Sequence, residues 1–150
     1  MKQDKRNMQG FSLVELLVVI AIVFVIAATG TSGFFYFKKN VEIDVDVQKI
    51  ANLIRKAQLK SKAMTNDSPW GIEITSSGVT IFKGTVFAVR QQSFDESVAI
   101  KGLVGVSGKT EIVFSKLTGL PTANSIGVLS LYNGINTKNI QINEEGVINY

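Results

Sequence analysis

Residues 16–37 contain no charged side chain, and this uncharged run constrains the fold more than any other feature of the sequence. A helix needs about 20 predominantly apolar residues to cross the hydrocarbon core of a bilayer, and the run reaches that length. The remainder, from about Lys38 to Tyr150, has an ordinary globular composition and is large enough to bury a small core. The sequence therefore predicts one spanning helix followed by one modest domain.

The 150-residue chain contains neither cysteine nor histidine. Without cysteine it has no disulfide, thiol nucleophile or thiolate metal site. Without histidine it lacks the usual general base and the commonest zinc ligand. No motif indicates a serine–lysine pair, so we predict that the protein is not an enzyme and uses no cofactor or metal. The net charge of +4 is too mild to indicate nucleic-acid binding.

A polar, basic leader precedes the apolar residues. It ends at Gly10, and the apolar residues begin abruptly at Phe11. A secretory signal has a different order, in which a short apolar stretch is followed by a small-residue cleavage site. Because basic flanking residues stay on the cytoplasmic side of a span, Lys2, Lys5 and Arg6 predict that the C-terminal bulk faces outward.

Glu15 is the one charged residue between Phe11 and Phe37. A carboxylate within a spanning helix is costly near the bilayer centre and is treated as functional by default. If the chain is cut after Gly10, a new α-amine forms at Phe11, one helical turn from Glu15. That amine, with an ordinary pKa of about 7.7–8, is largely cationic at neutral pH and can compensate the carboxylate. The helix N-terminus adds a favourable partial positive charge.

The residues around Gly10 resemble the class III signal of type IV pilins and type II secretion pseudopilins. The matching stretch is residues 5–17, KRNMQGFSLVELL. In that family a membrane aspartyl peptidase, prepilin peptidase, cleaves after the glycine and N-methylates the new terminal residue, usually phenylalanine. A nearby glutamate then pairs with the N-terminus of a neighbouring subunit during assembly. The resemblance assigns these roles to Gly10, Phe11 and Glu15.

Two features of the apolar segment leave alternatives open. Many pilins carry a proline in the outer part of this helix, whereas this chain has none there, and Gly30 and Gly33 are the residues that could supply flexibility instead. An ordinary signal-anchored protein, with Glu15 lying harmlessly near the interface, is the competing interpretation of the whole segment.

Apolar residues recur three or four positions apart beyond Lys39, which predicts one face of a helix. This stripe comprises Ile43, Val47, Ile50, Ile54, Ala57, Ser61 and Met64. The predicted opposite face carries Lys49, Lys56 and Lys60. Residues 41–48 also alternate apolar and polar, so a short strand competes locally. Because the helical spacing continues without glycine or proline, we predict one helix from Phe11 to about Met64.

Short β-rich runs follow a polar break at residues 66–69. The predicted strands are residues 70–75, 79–83, 86–91, 98–101, 111–115, 127–132, 139–143 and 147–150, with a glycine-rich bend at Gly102, Gly105 and Gly108. The predicted aromatic core residues are Trp70, Phe82, Phe87, Phe94 and Phe114. Turn signals at this spacing predict antiparallel strands. A sheet with one apolar face on the helix stripe gives a two-layer α+β fold.

The domain itself resembles GspH/FimT-type minor pseudopilins. The similar stretches are residues 53–63, 71–74, 112–114, 118–121, 127–131 and 139–148. The resemblance implies a pilin-like α+β fold in which the long N-terminal helix packs on antiparallel sheet. The expected organisation is a cleaved leader at 1–10, a transmembrane or filament-core helix half at 11–37, an amphipathic half at 38–65 and a β domain at 66–150.

Two local patterns suggest ligand sites and have simpler interpretations. Residues 105–110 look like a phosphate-binding loop, but Leu103 stands where its first glycine is needed, so we predict a glycine-rich turn. Glu42, Asp44 and Asp46 could suggest calcium, but alternate residues of a helix do not converge on one ion and no EF-hand loop surrounds them. We predict a solvated stretch there.

A basic helical segment raises the question of DNA. It comprises Arg55, Lys56, Lys60 and Lys62. A DNA-binding surface would be expected to add basic and aromatic residues on the sheet or tail. From Ser125 onward the tail has one basic residue, Lys138, so we regard nucleic acid as an unlikely partner.

The resemblance implies a minor pilin or pseudopilin, a structural subunit of a type IV pilus, a competence pilus or a type II secretion pseudopilus. Its expected partners are prepilin peptidase with its methyltransferase activity, other pilin subunits, an inner-membrane assembly platform and membrane lipid. We expect a single-pass inner-membrane protein with its C-terminus outside, and then an extracytoplasmic filament. Two alternatives stay open: a DNA-binding minor pilin of an uptake pilus, and an anchored extracytoplasmic binding module that does not polymerise.

Overall fold

The structure, a computed structural model, describes residues 11–150, apart from the side chains of residues 29–32. One long helix, α1, runs from Leu13 to Lys62. It is two residues shorter at each end than the sequence predicts. The chain divides into two compact units, one ending at Phe37 and the other comprising Lys38–Tyr150.

The first unit is the apolar part of α1. The carbonyl of Ser12 accepts a hydrogen bond from the Leu16 amide at 3.1 Å, which closes the first turn. The large apolar side chains from Leu13 to Ile26 are all exposed, with exposed fractions of 46–75%. These side chains therefore form an exposed apolar surface.

The remainder of α1 contributes its apolar stripe to the core of the second unit. Ile43, Val47, Ile50, Ile54, Ala57 and Ser61 are buried. Residues 41–48 are helical, so the competing strand interpretation is wrong. Met64 was predicted in the stripe but is 44% exposed, because the helix has ended and Met64 adopts the left-handed conformation (φ 51°).

Eight strands follow α1. They are β1 (Trp70–Ile74), β2 (Gly78–Lys83), β3 (Glu96–Ala99), β4 (Gly105–Gly108), β5 (Glu111–Phe114), β6 (Gly127–Tyr132), β7 (Thr137–Ile142) and β8 (Ile148–Asn149). They form two four-stranded antiparallel sheets, the first ordered β3-β2-β1-β5 and the second β4-β6-β7-β8. The predicted α+β fold, a long helix packed on antiparallel sheet, is confirmed.

Both sheets direct alternate apolar residues at the helix stripe. In the first sheet Ile72 lies opposite Ile81 on one side and Ile112 on the other. In the second sheet Leu129 lies opposite Ile140. All five are buried and join the residues of α1 in one core. Burying each such side chain is worth about 1.5–3 kcal/mol, so this core is the main source of stability.

The segment between β2 and β3 differs from prediction. Residues 86–91 were predicted as a strand, but the structure has short 3-10 turns at Phe87–Val89 and Gln92–Phe94. Glu111 Oε1 accepts a hydrogen bond from the Phe87 amide at 2.9 Å, and the Phe87 ring packs edge-on against Phe82 at 5.4 Å. The segment thus folds over the outer face of the first sheet.

The aromatic core prediction holds for three residues of five. Trp70, Phe82 and Phe114 are buried. Phe87 is only partly buried on the outer face, and Phe94 is 37% exposed. The prediction for Phe94 is wrong because it lies in a turn, with its ring at the edge of Trp70 rather than beneath a sheet.

The predicted glycine-rich bend contains a strand. Gly105–Gly108 is β4, which pairs with β6 at the edge of the second sheet. At Gly108, φ is +86°, a conformation that L side chains rarely adopt. The glycine therefore allows the chain to turn directly from β4 into β5, and residues 105–110 form a strand and a turn rather than a phosphate loop.

Candidate functional site

Phe11 and Glu15 lie at the start of α1. Phe11 precedes the helix and is 80% exposed, and Glu15 is in the first helical turn, also exposed. Gly10, the predicted cleavage residue, lies outside the described residues. In the uncut chain the Phe11 nitrogen is a peptide nitrogen, so the amine that would pair with Glu15 does not yet exist.

The Glu15 carboxylate has no salt bridge within residues 11–150. Its place in the first turn is electrostatically favourable, since the unpaired N–H groups there carry partial positive charge. Four residues of an α-helix span about 6 Å along its axis, and Phe11 is four positions before Glu15. A charged amine at Phe11 would therefore be near enough to attract the carboxylate, in the same chain or in a neighbour with the same register.

The apolar surface of α1 adjoins this terminus. By length and composition, α1 includes a stretch apolar enough to cross a membrane, and none of that stretch is buried. Contiguous exposed apolar surface of this extent marks a membrane or protein interface. The arrangement can hold the chain in a bilayer or pack it against other helices.

The three acidic residues considered for calcium have separate partners. Glu42 pairs with Lys38 at 3.7 Å and Asp44 with Lys138 at 2.8 Å. Burial raises the pKa of Asp46, although nearby Lys49 and a backbone hydrogen bond act in the opposite direction. Within the described residues no group of three or more potential metal ligands occurs. Asp46 and Glu42 lie close enough for the charge of Glu42 to raise the pKa of Asp46 slightly, but the three carboxylates do not form one group.

The predicted lysine face of α1 is not simply solvated. Lys56 Nζ lies 2.6 Å from the Glu96 carboxylate, and Lys60 binds the other oxygen of the same carboxylate. These hydrogen bonds lower the pKa of Glu96. Lys49 donates to the carbonyl of Ala99 at 3.0 Å. All three lysines thus bind β3, a contact that helical spacing alone could not show.

Sequence reasoning also missed a turn that binds the helix. Asn133, in the turn between β6 and β7, is buried, and its Nδ2 donates to the Lys39 carbonyl at 2.8 Å. Its Oδ1 accepts from the amides of Ile135 and Asn136. The Asn133-Gly134 pair is a turn signal in the sequence, but nothing local indicates that the turn reaches α1.

Comparison with known proteins supports the N-terminal assignment. The prokaryotic N-terminal methylation motif matches residues 5–31. The prepilin peptidase-dependent protein A of Clostridium perfringens (strain 13 / Type A) is 36% identical over 77 residues, which cover 50% of this chain and 55% of that protein. The match therefore spans little more than half of the relative's length. No solved structure matches.

The matched motif includes the predicted cleavage and assembly residues. Together with the fold, the motif and the relative support a type IV pilin-like protein, as the leader predicts. The finer resemblance to GspH/FimT-type pseudopilins stays a prediction, since neither match concerns that subtype.

Proposed function

We propose that the protein is a minor pilin or pseudopilin, a subunit that is assembled through its N-terminal helix into a type IV pilus or a type II secretion pseudopilus. The observation that carries the proposal is a methylation motif that extends into an exposed apolar helix surface. A helix exposed in this way needs lipid before assembly and other subunits afterwards.

Processing is the first step of the proposed function. Prepilin peptidase hydrolyses the peptide bond between Gly10 and Phe11, which leaves a carboxylate on Gly10 and an amine on Phe11, and it transfers a methyl group from a methyl-donor cosubstrate to that amine. The amine is cationic and lies one turn from Glu15, so cutting provides the carboxylate with an opposite charge. In a low-dielectric environment such a pair is strong when close and costly when absent, which favours one register between neighbouring subunits.

The proposed location follows from the same segment. Before assembly the protein is a single-pass protein of the inner membrane, with the leader in the cytoplasm and the sheet domain outside. Its further partners are other pilin or pseudopilin subunits and the inner-membrane assembly platform. After assembly it lies in an extracytoplasmic filament, with the apolar helix inside and the sheets outward.

The contacts of the basic residues favour a structural role over DNA binding. Lys56 and Lys60 are held by Glu96, and the Arg55 guanidinium lies over the Tyr150 ring at 5.4 Å. None of the residues at the outward positions of β6 and β7 is basic. These positions are occupied by Val128, Ser130, Tyr132, Thr137, Asn139 and Gln141. These surfaces therefore offer few cationic side chains that could bind the phosphates of DNA.

Mass spectrometry of the mature N-terminus tests the processing step. We expect membranes to contain a chain that begins with methylated Phe11. Gly10→Leu should abolish cleavage, because the peptidase of this family needs a small residue there. Gly33→Leu is the matched control, since a side chain at Gly33 meets nothing within 4 Å, and it should be cleaved normally. An uncut chain that still begins at Met1 or Lys2 would favour the anchored module that does not polymerise.

Glu15→Ala tests the assembly step separately. We expect normal cleavage but reduced incorporation into filaments, because the Phe11 amine loses its partner. Glu145→Ala, which removes an exposed carboxylate of the second unit, should incorporate like the unmodified protein. Sheared filaments and membranes are compared by immunoblotting. Normal incorporation of Glu15→Ala would rule out the ion-pair account.

A further inference from the structure

Four consecutive aromatic residues end the apolar part of α1. They are Phe34, Phe35, Tyr36 and Phe37, here called the aromatic collar. Their exposed fractions are nearly equal, at 66%, 64%, 62% and 68%. No described residue therefore shields one side of the collar more than another. The first charged residues beyond the span follow directly in the sequence.

The four rings surround the helix. Successive residues of an α-helix are about 100° apart, so four in a row are distributed around most of its circumference. The Phe34 and Phe35 rings are edge-to-face, with centroids 6.4 Å apart. A single neighbouring helix covers one side of a helix, whereas a lipid layer contacts every side. The circumferential arrangement thus favours lipid as the partner.

The position of the collar along the helix agrees with bilayer dimensions. At about 1.5 Å per residue, Phe34 and Phe37 lie roughly 35 and 39 Å from Phe11 along the axis. The hydrocarbon core is about 30 Å thick, and the bilayer with its headgroup regions about 40–45 Å. With the charged amine of Phe11 in the cytoplasmic headgroup layer, the collar lies at the opposite boundary between hydrocarbon and headgroups.

We propose that the aromatic collar anchors the helix in the headgroup region of the outer leaflet and so fixes how deeply the chain is inserted. The inference rests on the membrane-inserted state of the proposed function and adds the lipid interface as the partner of residues 34–37. Aromatic side chains are enriched at this boundary, and the Tyr36 hydroxyl can hydrogen-bond there while its ring stays in apolar surroundings.

An anchor at this position matters because the apolar part of the helix is longer than the hydrocarbon core of the bilayer is thick. A run that is too long is accommodated by tilting or by local thickening of the bilayer. A ring of aromatic residues with a preferred depth limits both adjustments. The collar thereby holds Glu15 and the Phe11 amine at a constant depth near the cytoplasmic face, which is the geometry that neighbouring subunits need in order to pair.

Spin labels test the depth directly. The chain has no cysteine, so a single introduced cysteine takes one nitroxide. Suitable positions are Phe24→Cys in the span, Gly33→Cys beside the collar and Val41→Cys beyond it. The full chain is reconstituted alone in vesicles of phosphatidylglycerol and phosphatidylcholine, and collision rates with oxygen and a water-soluble nickel chelate give the depth. We expect position 24 to be deep, position 33 just inside the hydrocarbon and position 41 in water.

Replacing the collar tests its role. With Phe34, Phe35, Tyr36 and Phe37 all changed to leucine, the span stays apolar but loses its interfacial preference. We expect the label at position 33 to move toward the bilayer centre by about one helical turn, roughly 5 Å. Phe24→Leu is the control, because it removes an aromatic ring from the middle of the span, and it should leave that depth unchanged.

Two results would overturn the proposal. An unchanged depth at position 33 in the four-leucine chain would show that the collar does not set the insertion. Nickel access at position 33 equal to that at position 41 would place the collar in water. If the label at position 24 is also in water, no span forms and the membrane step of the proposed function fails as well, so the two failures are distinguishable.

Discussion

Ser61 shows how one side chain joins the helix to the sheet. It occupies the stripe of α1 and is completely buried. Its hydroxyl accepts a hydrogen bond from the Trp70 amide at 2.7 Å and lies 3.1 Å from the Phe114 carbonyl, to which it can donate. A buried polar group of this kind stabilises only while its partners are present.

Ser61→Ala should destabilise the protein by about 1–3 kcal/mol, because the buried Trp70 amide would lose its acceptor. Urea unfolding of the full chain in detergent micelles, followed by the fluorescence of Trp70, measures the change. Ser97→Ala is the matched control: its hydroxyl is exposed and bonds to Thr80 at 3.0 Å, so the loss should stay within about 0.5 kcal/mol. Equal losses in the two variants would contradict the role given to Ser61.

For single residues, the sequence predicts which side chains are buried better than it predicts their hydrogen-bond partners. Helical spacing places Ser61 in the stripe, and the structure confirms that it is buried. Its hydrogen-bond partners, however, are 9 and 53 positions away in the sequence. Asn133 likewise reaches Lys39 across 94 positions. Such contacts depend on the assembled sheets, so no local pattern could have revealed them.

The strands of the first sheet carry two glutamates whose pKa values change in opposite directions. Hydrogen bonds from Lys56 and Lys60 lower the pKa of Glu96 on β3. Burial, and then the charge of Glu111 directly opposite on β5, raise the pKa of Glu73 on β1. The two residues therefore have opposite effects on stability as the pH changes.

Glu96→Gln should lower stability at pH 7, and the loss should diminish as the pH falls. The pKa of Glu96 is depressed in the folded state, so its contribution is present above the unfolded-state value, about 4.3, and is lost as the pH falls through the folded value. The side chain is 39% exposed, which limits the effect at pH 7 to about 1 kcal/mol. Urea unfolding at several pH values measures it, and a loss independent of pH would contradict the charge pairing.

Glu73→Gln should have the opposite effect and serves as the matched comparison. Because the folded-state pKa is raised, the charged form is unfavourable above it, and removing the charge should stabilise the protein at pH 7 by roughly 0.2–1 kcal/mol, the range for cross-strand pairs. The gain should vanish below about pH 4, where the carboxyl is protonated in both states. A destabilised variant at pH 7 would show that Glu73 makes a favourable contact instead.

The strands themselves were predictable where apolar residues alternate. For β1, β2, β5 and β6 the predicted and observed bounds agree within one residue. β4 was missed because its two glycines suggest a bend, whereas pairing with β6 holds them extended. Residues 86–91 have strand-like composition, but the Glu111 carboxylate and the Phe82 ring hold Phe87 in a turn. In both cases tertiary contacts overrode local preference.

For the whole molecule, the sequence predicts the class of fold but not its division into two sheets. The helical and alternating periods are local, and together they indicate α+β. The sheet orders β3-β2-β1-β5 and β4-β6-β7-β8 depend on which distant strands pair. The candidate site differs from the sheet orders, because it can be predicted without knowing which distant strands pair. Gly10, Phe11 and Glu15 are predicted from a linear motif, which can be found in a sequence because it does not depend on which distant residues meet, and their roles stay predictions.

The distribution of the core indicates that the sheet domain does not need the apolar helix half to fold. Among the described residues, every buried hydrophobic side chain lies at Ile43 or beyond it. The unit Lys38–Tyr150 also retains the Asn133–Lys39 and Lys138–Asp44 contacts. Removing the preceding residues therefore deletes no described part of the core.

A fragment comprising Lys38–Tyr150 should be soluble and unfold cooperatively in urea, with Trp70 buried as in the full chain. A second fragment, residues 48–150, is the control. It lacks Ile43 and Val47, which are 0% and 4% exposed. It also loses the contact of Lys39 with Asn133 and that of Asp44 with Lys138. By comparison with large-to-small core substitutions it should be less stable by about 4 kcal/mol or more. If the longer fragment fails to fold while the full chain in micelles is native, the apolar half of α1 contributes to the stability of the domain, and the two units are not independent.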